Sequence, residues 1–399
     1  MASILAPTPF VRATVTNFVF FLGLNGFVLL PLYIQQLGGN EIQIGLVMGV
    51  YSGVGIVCQP LIGPWVDVIG RRPFMLTGIV LTVSASLLAA LAGGVGMLAL
   101  VRGLQGIGFS MFFVASFSYV LDIIPAARRG WALGIYGVSG FVSTAIAPLF
   151  GEWIIRTLGF RVLFACSAVL GASTVALVWP VREIPRGAGG IPLRLAPGMV
   201  RAAIEDVLHR HMFVTAFFGL GSGTVFAFLP TFAEDLGVTT LSLFYTAYSL
   251  AAIGIRIVGG RLIDTHGRKA VIVPSMFVQA VATGLLALLG ALVTRTSATP
   301  VLPVLFLAGL LSGGAHGFLY PGLAALVTDT TPEARRAAVV GIFSAMFLTG
   351  QTIGAFSFGW IANALGYGSM WATLTALLLA GVLVSLRLRT GGPPPRAAA

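Results

Sequence analysis

Charge is scarce in this sequence. Only 9% of its 399 residues are charged, and 12 are acidic. A soluble domain of this length needs a solvated polar surface, which a mean hydropathy of +0.99 does not provide. Cysteine is nearly absent. Cys58 and Cys166 both fall inside apolar runs and read as small packing residues, with no disulfide framework. The four histidines are scattered, and no Cys/His ligand spacing occurs, so neither a metal nor a cofactor is expected. No phosphate-binding G-x-x-x-x-G-K-[ST] is present, which leaves ATP-driven transport unsupported. No Gly-x-Ser-x-Gly or paired-acid arrangement points to an enzyme. The net charge of +11 does not imply nucleic acid, because no soluble segment carries an aromatic-basic patch.

What the sequence has instead is a succession of apolar runs of about 20 residues, each long enough to cross a bilayer as a helix. Lipid cannot satisfy open backbone groups, so helices are the expected form and the fold class is an all-α membrane protein. The spans read as roughly 13–35, 43–63, 73–92, 96–122, 130–155 and 160–180, then 212–233, 240–260, 270–293, 301–328, 338–363 and 370–388. Residues 1–180 and 212–390 thus form two bundles of six helices, and the 52 glycines suit helices packed through small residues. The first run follows Arg12 and lacks a small-residue cleavage site, so it reads as a helix and not as a signal peptide. Residues 181–211 read as a linker. In it, Met199, Val200, Ala203, Ile204, Val207 and Leu208 recur at helical spacing, as in an amphipathic helix at the membrane surface. The tail 391–399, with three consecutive prolines, is expected to be disordered.

An even number of spans places both termini on one face. If that face is cytoplasmic it holds 18 of the 23 basic residues, while Arg156, Arg161 and Arg295 lie opposite and Arg102 and Arg256 lie within spans. Such asymmetry sets the orientation and places the positive charge beside anionic lipid headgroups in a bacterial-type cytoplasmic membrane.

Two stretches carry the family signal. Gly63-Pro64-Trp65-Val66-Asp67-Val68-Ile69-Gly70-Arg71-Arg72 returns 197 positions later as Gly260-Arg261-Leu262-Ile263-Asp264-Thr265-His266-Gly267-Arg268-Lys269. A second pair, Asp122 to Arg129 and Asp329 to Arg336, recurs at an offset of 207. The spacing G-x-x-x-D-x-x-G-R-[RK] resembles the signature loop of the major facilitator superfamily, departing from it at Val68 and Thr265. The resemblance implies secondary transport by two parallel six-helix halves around a central cavity. It also implies that the loop acids, Asp67 and Asp264, gate the cytoplasmic side, and that Asp122 partners Arg71 and Arg72. Gly63 and Gly260 are expected to permit close helix approach, and Gly70 and Gly267 a sharp turn.

Polar residues inside spans are costly and therefore informative. Arg102 opens Arg102-Gly-Leu-Gln105-Gly106-Ile-Gly108, which resembles the family's R-x-x-Q-G-x-G pattern, linked there to proton transfer or substrate binding. Gly309 occupies the corresponding place in the second half, so Arg102 is not a duplicated device. Ala147-Pro148-Leu149-Phe150-Gly151-Glu152 resembles in part the family's antiporter motif, with Ala147 and Glu152 in place of two glycines. Arg102 lies about 9 Å below the outer end of its span, and Glu152 lies in the same layer. A pair between them that forms and breaks is the expected coupling device, with His316 as the next candidate. For the substrate cavity the candidates are Asn25, Gln105, Tyr136, Phe226, Tyr245, Tyr248, Tyr320, Phe347 and Gln351, which supply amides and aromatic faces. The first span holds Asn25 where some multidrug exporters of the family carry an acid. Arg256 is expected to be structural. Together these readings point to a monomeric, proton-linked exporter of a small amphipathic or sugar-like compound, working among membrane lipids. An uncoupled facilitator, an importer and a lipid-moving protein stand as alternatives.

Overall fold

The computed structural model describes residues 8–125, 129–183, 205, 209–293, 301–329 and 336–388. Among them the regular structure is helical: α1 (Pro9–Leu24), a 3-10 turn (Asn25–Leu29), α2 (Leu30–Gln36), α3 (Glu41–Ile69), α4 (Arg71–Ala90), α5 (Val95–Ile123), α6 (Arg129–Leu158), α7 (Phe160–Val178), α8 (Arg210–Asp235), α9 (Ser242–His266), α10 (Arg268–Val293), α11 (Val301–Asp329) and α12 (Arg336–Leu386). Ten segments among the described residues are long and apolar enough to cross a membrane. One of them, Pro9–Gln36, combines α1, the 3-10 turn and α2. Another, Val339–Leu386, is broken in two at Gly366, whose φ of 80° no helix accommodates. Ser242–Ile257 is a shorter apolar helix. This is the expected twelve-span arrangement. It differs from the expected boundaries in the turn at Asn25 and in α3, which continues past residue 63 to Ile69.

Local chemistry explains where the helices begin. Thr8 caps α1 by accepting from the Val11 amide at 3.4 Å, with Pro9 in the first turn, where a missing N–H costs nothing. Asn40 and Gln43 form a reciprocal capping box at the start of α3. Inside the helices, hydroxyls turn back onto the preceding turn. Thr82 bonds the Gly78 carbonyl at 2.9 Å, Ser86 bonds Thr82 at 2.9 Å and Ser110 bonds Gly106 at 2.8 Å. That satisfies polar groups which lipid cannot. Large apolar side chains such as Val57, Leu61, Leu100, Trp153 and Val169 are exposed, as a hydrocarbon solvent favours.

The chain divides into two compact units, Met1–Arg194 with Thr240–Ser242, and Leu195–Thr239 with Leu243–Ala399. In the first unit α4 packs on α5 and α7, α3 on α5, and α1 on α6 and α7. Its core stacks Phe20 on Phe112, ring centroids 3.8 Å apart, beside Leu24, Phe74, Met75 and Ile79. In the second unit α8 packs on α12, and α10 on α11 and α12, around Met212, Phe218, Ile272, Met276, Leu319, Leu323 and Phe343.

The duplication extends to helix crossings. A Cβ added to Gly106 of α5 would lie 2.7 Å from the carbonyl oxygen of Tyr51 in α3. The equivalent Gly313 of α11 meets the carbonyl of Tyr248 in α9, Tyr51 and Tyr248 being 197 positions apart and the glycines 207. Each half thus seats a glycine against the backbone of its own tyrosine. A Cβ added to Gly63, in contrast, would meet nothing within 4 Å. The side chains of Arg261 and Asp264 and the surroundings of Gly260 lie outside the described residues, as do most of the 181–211 segment and the 391–399 tail. Of that segment, Glu205 is helical and its carbonyl lies 2.9 Å from the ring nitrogen of His209, one turn on.

Candidate functional site

The signature loop is built as a clamp on Arg71. Gly70 ends α3 with φ 114°, a left-handed conformation that glycine adopts at little cost, and turns the chain directly into α4. Arg71 is buried. Its Nη2 donates to Asp67 at 2.7 Å, its Nε to Asp122 at 2.9 Å and its Nη1 to the Val66 carbonyl at 2.7 Å. One guanidinium fork therefore ties the ends of α3 and α5 to the start of α4. Arg72 does not share Asp122: its guanidinium lies 5.0 Å over the Trp179 ring.

Sequence reading missed Glu183. Its carboxylate accepts from the amides of Arg71 at 3.0 Å and Arg72 at 2.6 Å, capping α4 where the helix dipole favours an anion. A Cβ on Gly70 would strike that carboxylate at 2.7 Å, a second reason for glycine there. Nothing local marks Glu183 as a cap, because it lies more than a hundred residues beyond the amides it closes.

The second loop repeats the plan at matching positions. Gly267 takes φ 85°, Arg268 Nε donates to Asp329 at 3.0 Å and its Nη1 to the Ile263 carbonyl at 3.1 Å. Lys269, next in the chain, is half-buried. The second clamp is much more solvated than the first. The side chains of Arg268 and Asp329 are 22% and 53% exposed, against 5% and 16% for Arg71 and Asp122.

Arg102 and Glu152 have separate partners, contrary to the pair expected from their depth. Arg102 is 6% exposed and Gln105 fully buried. The guanidinium lies 4.1 Å over the Tyr51 ring, and its Nη1 donates to the side-chain Oε1 of Gln105 one turn along α5. Glu152 accepts instead from the Ser242 amide at 2.7 Å and the Ser242 hydroxyl at 2.8 Å, within the first unit. Depth alone did not reveal that the Tyr51 face would take the cation. The repeat offset offered a signal, since it maps Tyr51 onto Tyr248, one of the aromatic candidates.

The remaining candidates divide by unit. In the first, Asn25 donates to Ser143 at 3.2 Å and Thr144 at 3.0 Å, so its amide fastens the 3-10 turn to α6. Tyr136 is a core residue with its hydroxyl 2.6 Å from that of Ser116 and its ring beside Ala13 and Tyr119. In the second unit, His316 is ringed by aromatic side chains from four helices. Phe218 of α8 lies at 5.0 Å, Tyr248 of α9 at 5.8 Å, Tyr320 of α11 at 6.2 Å and Phe347 of α12 at 6.3 Å, between ring centroids. Phe226 joins this group edge-on to Tyr248 at 5.6 Å and tilted to Tyr245 at 5.7 Å. Gln351 follows Phe347 by one turn, where the α12 backbone closes on Gly223 of α8. Among the described residues no group of His, Cys, Asp and Glu is arranged to hold a metal ion.

The Major Facilitator Superfamily profile matches residues 13–239 and 211–399. The inner membrane transport protein YajR of Escherichia coli is 26% identical over 90% of this chain and 77% of its own length. The multi-drug resistance efflux pump PmrA of Streptococcus pneumoniae is 22% identical over 90% of this chain and 91% of its own. Among solved structures, the nucleoside transporter NupG superposes with a TM-score of 0.79 over 94% of this chain and 98% of that one, at 14% identity, a likeness of fold alone.

Proposed function

We propose that this chain, which belongs to the Major Facilitator Superfamily, exports a small amphipathic or sugar-like compound in exchange for protons. Its relatives are transporters and not enzymes, and one similar across 90% of this chain carries the name of an efflux pump. The observation that carries the coupling is Glu152, an acid within the membrane helix α6 whose carboxylate is held by two hydrogen bonds from Ser242. An ionisable group in a span is expensive to keep, and proton relays are a recurrent reason to keep it. The aromatic ring of residues around His316 suits the apolar part of an amphipathic compound or the face of a sugar.

The purified chain in proteoliposomes should accumulate its substrate from a compound panel when a pH gradient is imposed. Accumulation should collapse with a protonophore. Equal flux with and without the gradient would make it an uncoupled facilitator. The proposed orientation has its own check, because the distribution of arginines puts 181–211 on the cytoplasmic side and 294–300 outside. With single cysteines in place of Gly189 and Thr296, an impermeant thiol reagent on intact cells should modify only the second. Labelling of the first alone would invert the orientation.

A further inference from the structure

Arg102 and Gln105 leave a specific vacancy in hydrogen bonding. Gln105 spends its side-chain Oε1 on Arg102 Nη1, and neither its side-chain amide nitrogen nor Arg102 Nε has a partner, although both atoms are buried. The groups left over are donors only, one of them cationic. Of the acids described in the membrane helices of this unit, Asp67 and Asp122 take Arg71, Glu152 takes Ser242, and Glu41 stands at the very start of α3, away from Tyr51 by ten residues of that helix. The α1 residue Asn17 donates its amide nitrogen to the Tyr136 carbonyl and the Ser139 hydroxyl, and its Oδ1 is a buried neutral acceptor without a partner. A buried cation whose neighbours are a ring face and one amide oxygen calls for an oxyanion.

The surface beside it is apolar and aromatic. Tyr51, under the guanidinium, stands 5.5 Å from Phe109, which stacks with Phe113 at 5.3 Å, and Phe113 stacks with Phe117 at 6.0 Å. Residues 102, 105, 109, 113 and 117 recur at three- and four-residue spacing, so one face of α5 carries the two donors followed by a ladder of half-buried rings. A head that is anionic and a body that is flat and apolar match that sequence of groups. Resting on the transport reading above, we infer that the exported compound is an amphipathic organic anion, its carboxylate on Arg102 and Gln105 and its apolar body along Phe109, Phe113 and Phe117.

Matched probes test this on the purified full chain. By calorimetry in detergent, 2-naphthoate should bind roughly tenfold or more tightly than neutral 2-naphthamide, since only the first offers charged acceptors. It should bind more tightly than benzoate, which has less apolar surface, and sulfate should not displace it at equal concentration. Arg102→Gln should abolish the preference for acid over amide. Gln105→Leu, a milder change in case the first variant folds poorly, should reduce it. Phe113→Ala should weaken naphthoate while leaving the preference intact. Equal binding of acid and amide overturns the inference, as does a preference that survives Arg102→Gln. Displacement by sulfate would make this an inorganic-anion site. Arg102-dependent protection by phosphatidylglycerol nanodiscs, with loss of naphthoate binding, would assign the anion to a lipid headgroup; either result also overturns it. Counterflow separates this test from the transport reading. Naphthoate that binds with the predicted selectivity but is never exchanged would leave the anion site standing and remove transport of such anions. Gradient-driven movement of neutral compounds alone would do the reverse.

Discussion

Replacing Arg71 by alanine is expected to stop transport and destabilise the protein, with a loss of about 3 kcal/mol, the low end for breaking a buried ion pair because Asp67 remains partly solvated. The side chain of Asp67 is 39% exposed and that of Asp122 only 16%, so the cost falls mainly on Asp122, which loses its bond to Arg71 near the end of α5. The Val66 carbonyl loses its donor at the same time. A loss of that size lowers the ratio of folded to unfolded protein by roughly a hundredfold. Arg71→Lys should be intermediate, because a point charge cannot satisfy three acceptors laid out for a planar fork. Arg268→Ala is the internal control. Its pair with Asp329 has the same plan but is more exposed, so its loss should cost less than that of Arg71, about 1 kcal/mol for the pair. Thermal unfolding and proteoliposome flux measure both arms. Equal effects of the two substitutions would show that burial does not decide the matter, and unchanged flux in Arg71→Ala would remove the first loop from gating. Asp67→Asn, which keeps a weaker acceptor, should slow transport without loss of expression.

The parts legible in the sequence are those in which one residue type must stand at a fixed short distance from another. A turn with positive φ needs Gly70 and Gly267, and the arginine after each must reach back five residues to a carbonyl. Both demands therefore appear within ten letters, twice. The spans were legible because hydrocarbon excludes charge over about 20 residues at a time. The rest depends on contacts between positions far apart in the chain. Glu183 caps α4 across more than a hundred residues, and Ser242 reaches Glu152 across ninety. A serine or a glutamate at such a place looks like any other at a helix end. Tyr51 was hidden for another reason. A tyrosine in an apolar helix reads as core, and nothing within α3 shows that its ring lies beneath a cation of α5. Asn25 and Tyr136 show the same limit from the other side: the amide of one and the aromatic face of the other suggested a cavity, and the sequence did not reveal that the amide bonds Ser143 and Thr144 or that the tyrosine hydroxyl meets Ser116.

Glu152→Gln separates a coupling role from a capping role. The carboxylate accepts both the amide and the hydroxyl hydrogen of Ser242, the first residue of α9, and so needs two acceptor oxygens facing two donors. Glutamine keeps one acceptor and turns an NH2 group toward the other donor, so one of the two bonds is lost in the variant. If Glu152 only holds Ser242, the variant should lose about 1 kcal/mol of stability, the usual worth of one hydrogen bond. It should transport with an unchanged response to pH. If the carboxylate is the group that takes up and releases the proton, the variant is fixed in a neutral form resembling the protonated acid. Gradient-driven accumulation should then fall to the passive level while exchange of substrate across the membrane continues, because exchange needs no net proton movement. We expect the second pattern: Glu152 is an acid kept within an apolar helix, where a serine or glutamine would cap at lower cost. Ser242→Ala supplies the cross-check. It removes the hydroxyl donor but leaves the acid and the backbone amide, so coupling should persist, with its pH dependence displaced. Full gradient-driven accumulation in Glu152→Gln would transfer the coupling role to His316, whose replacement by alanine would then be the deciding measurement.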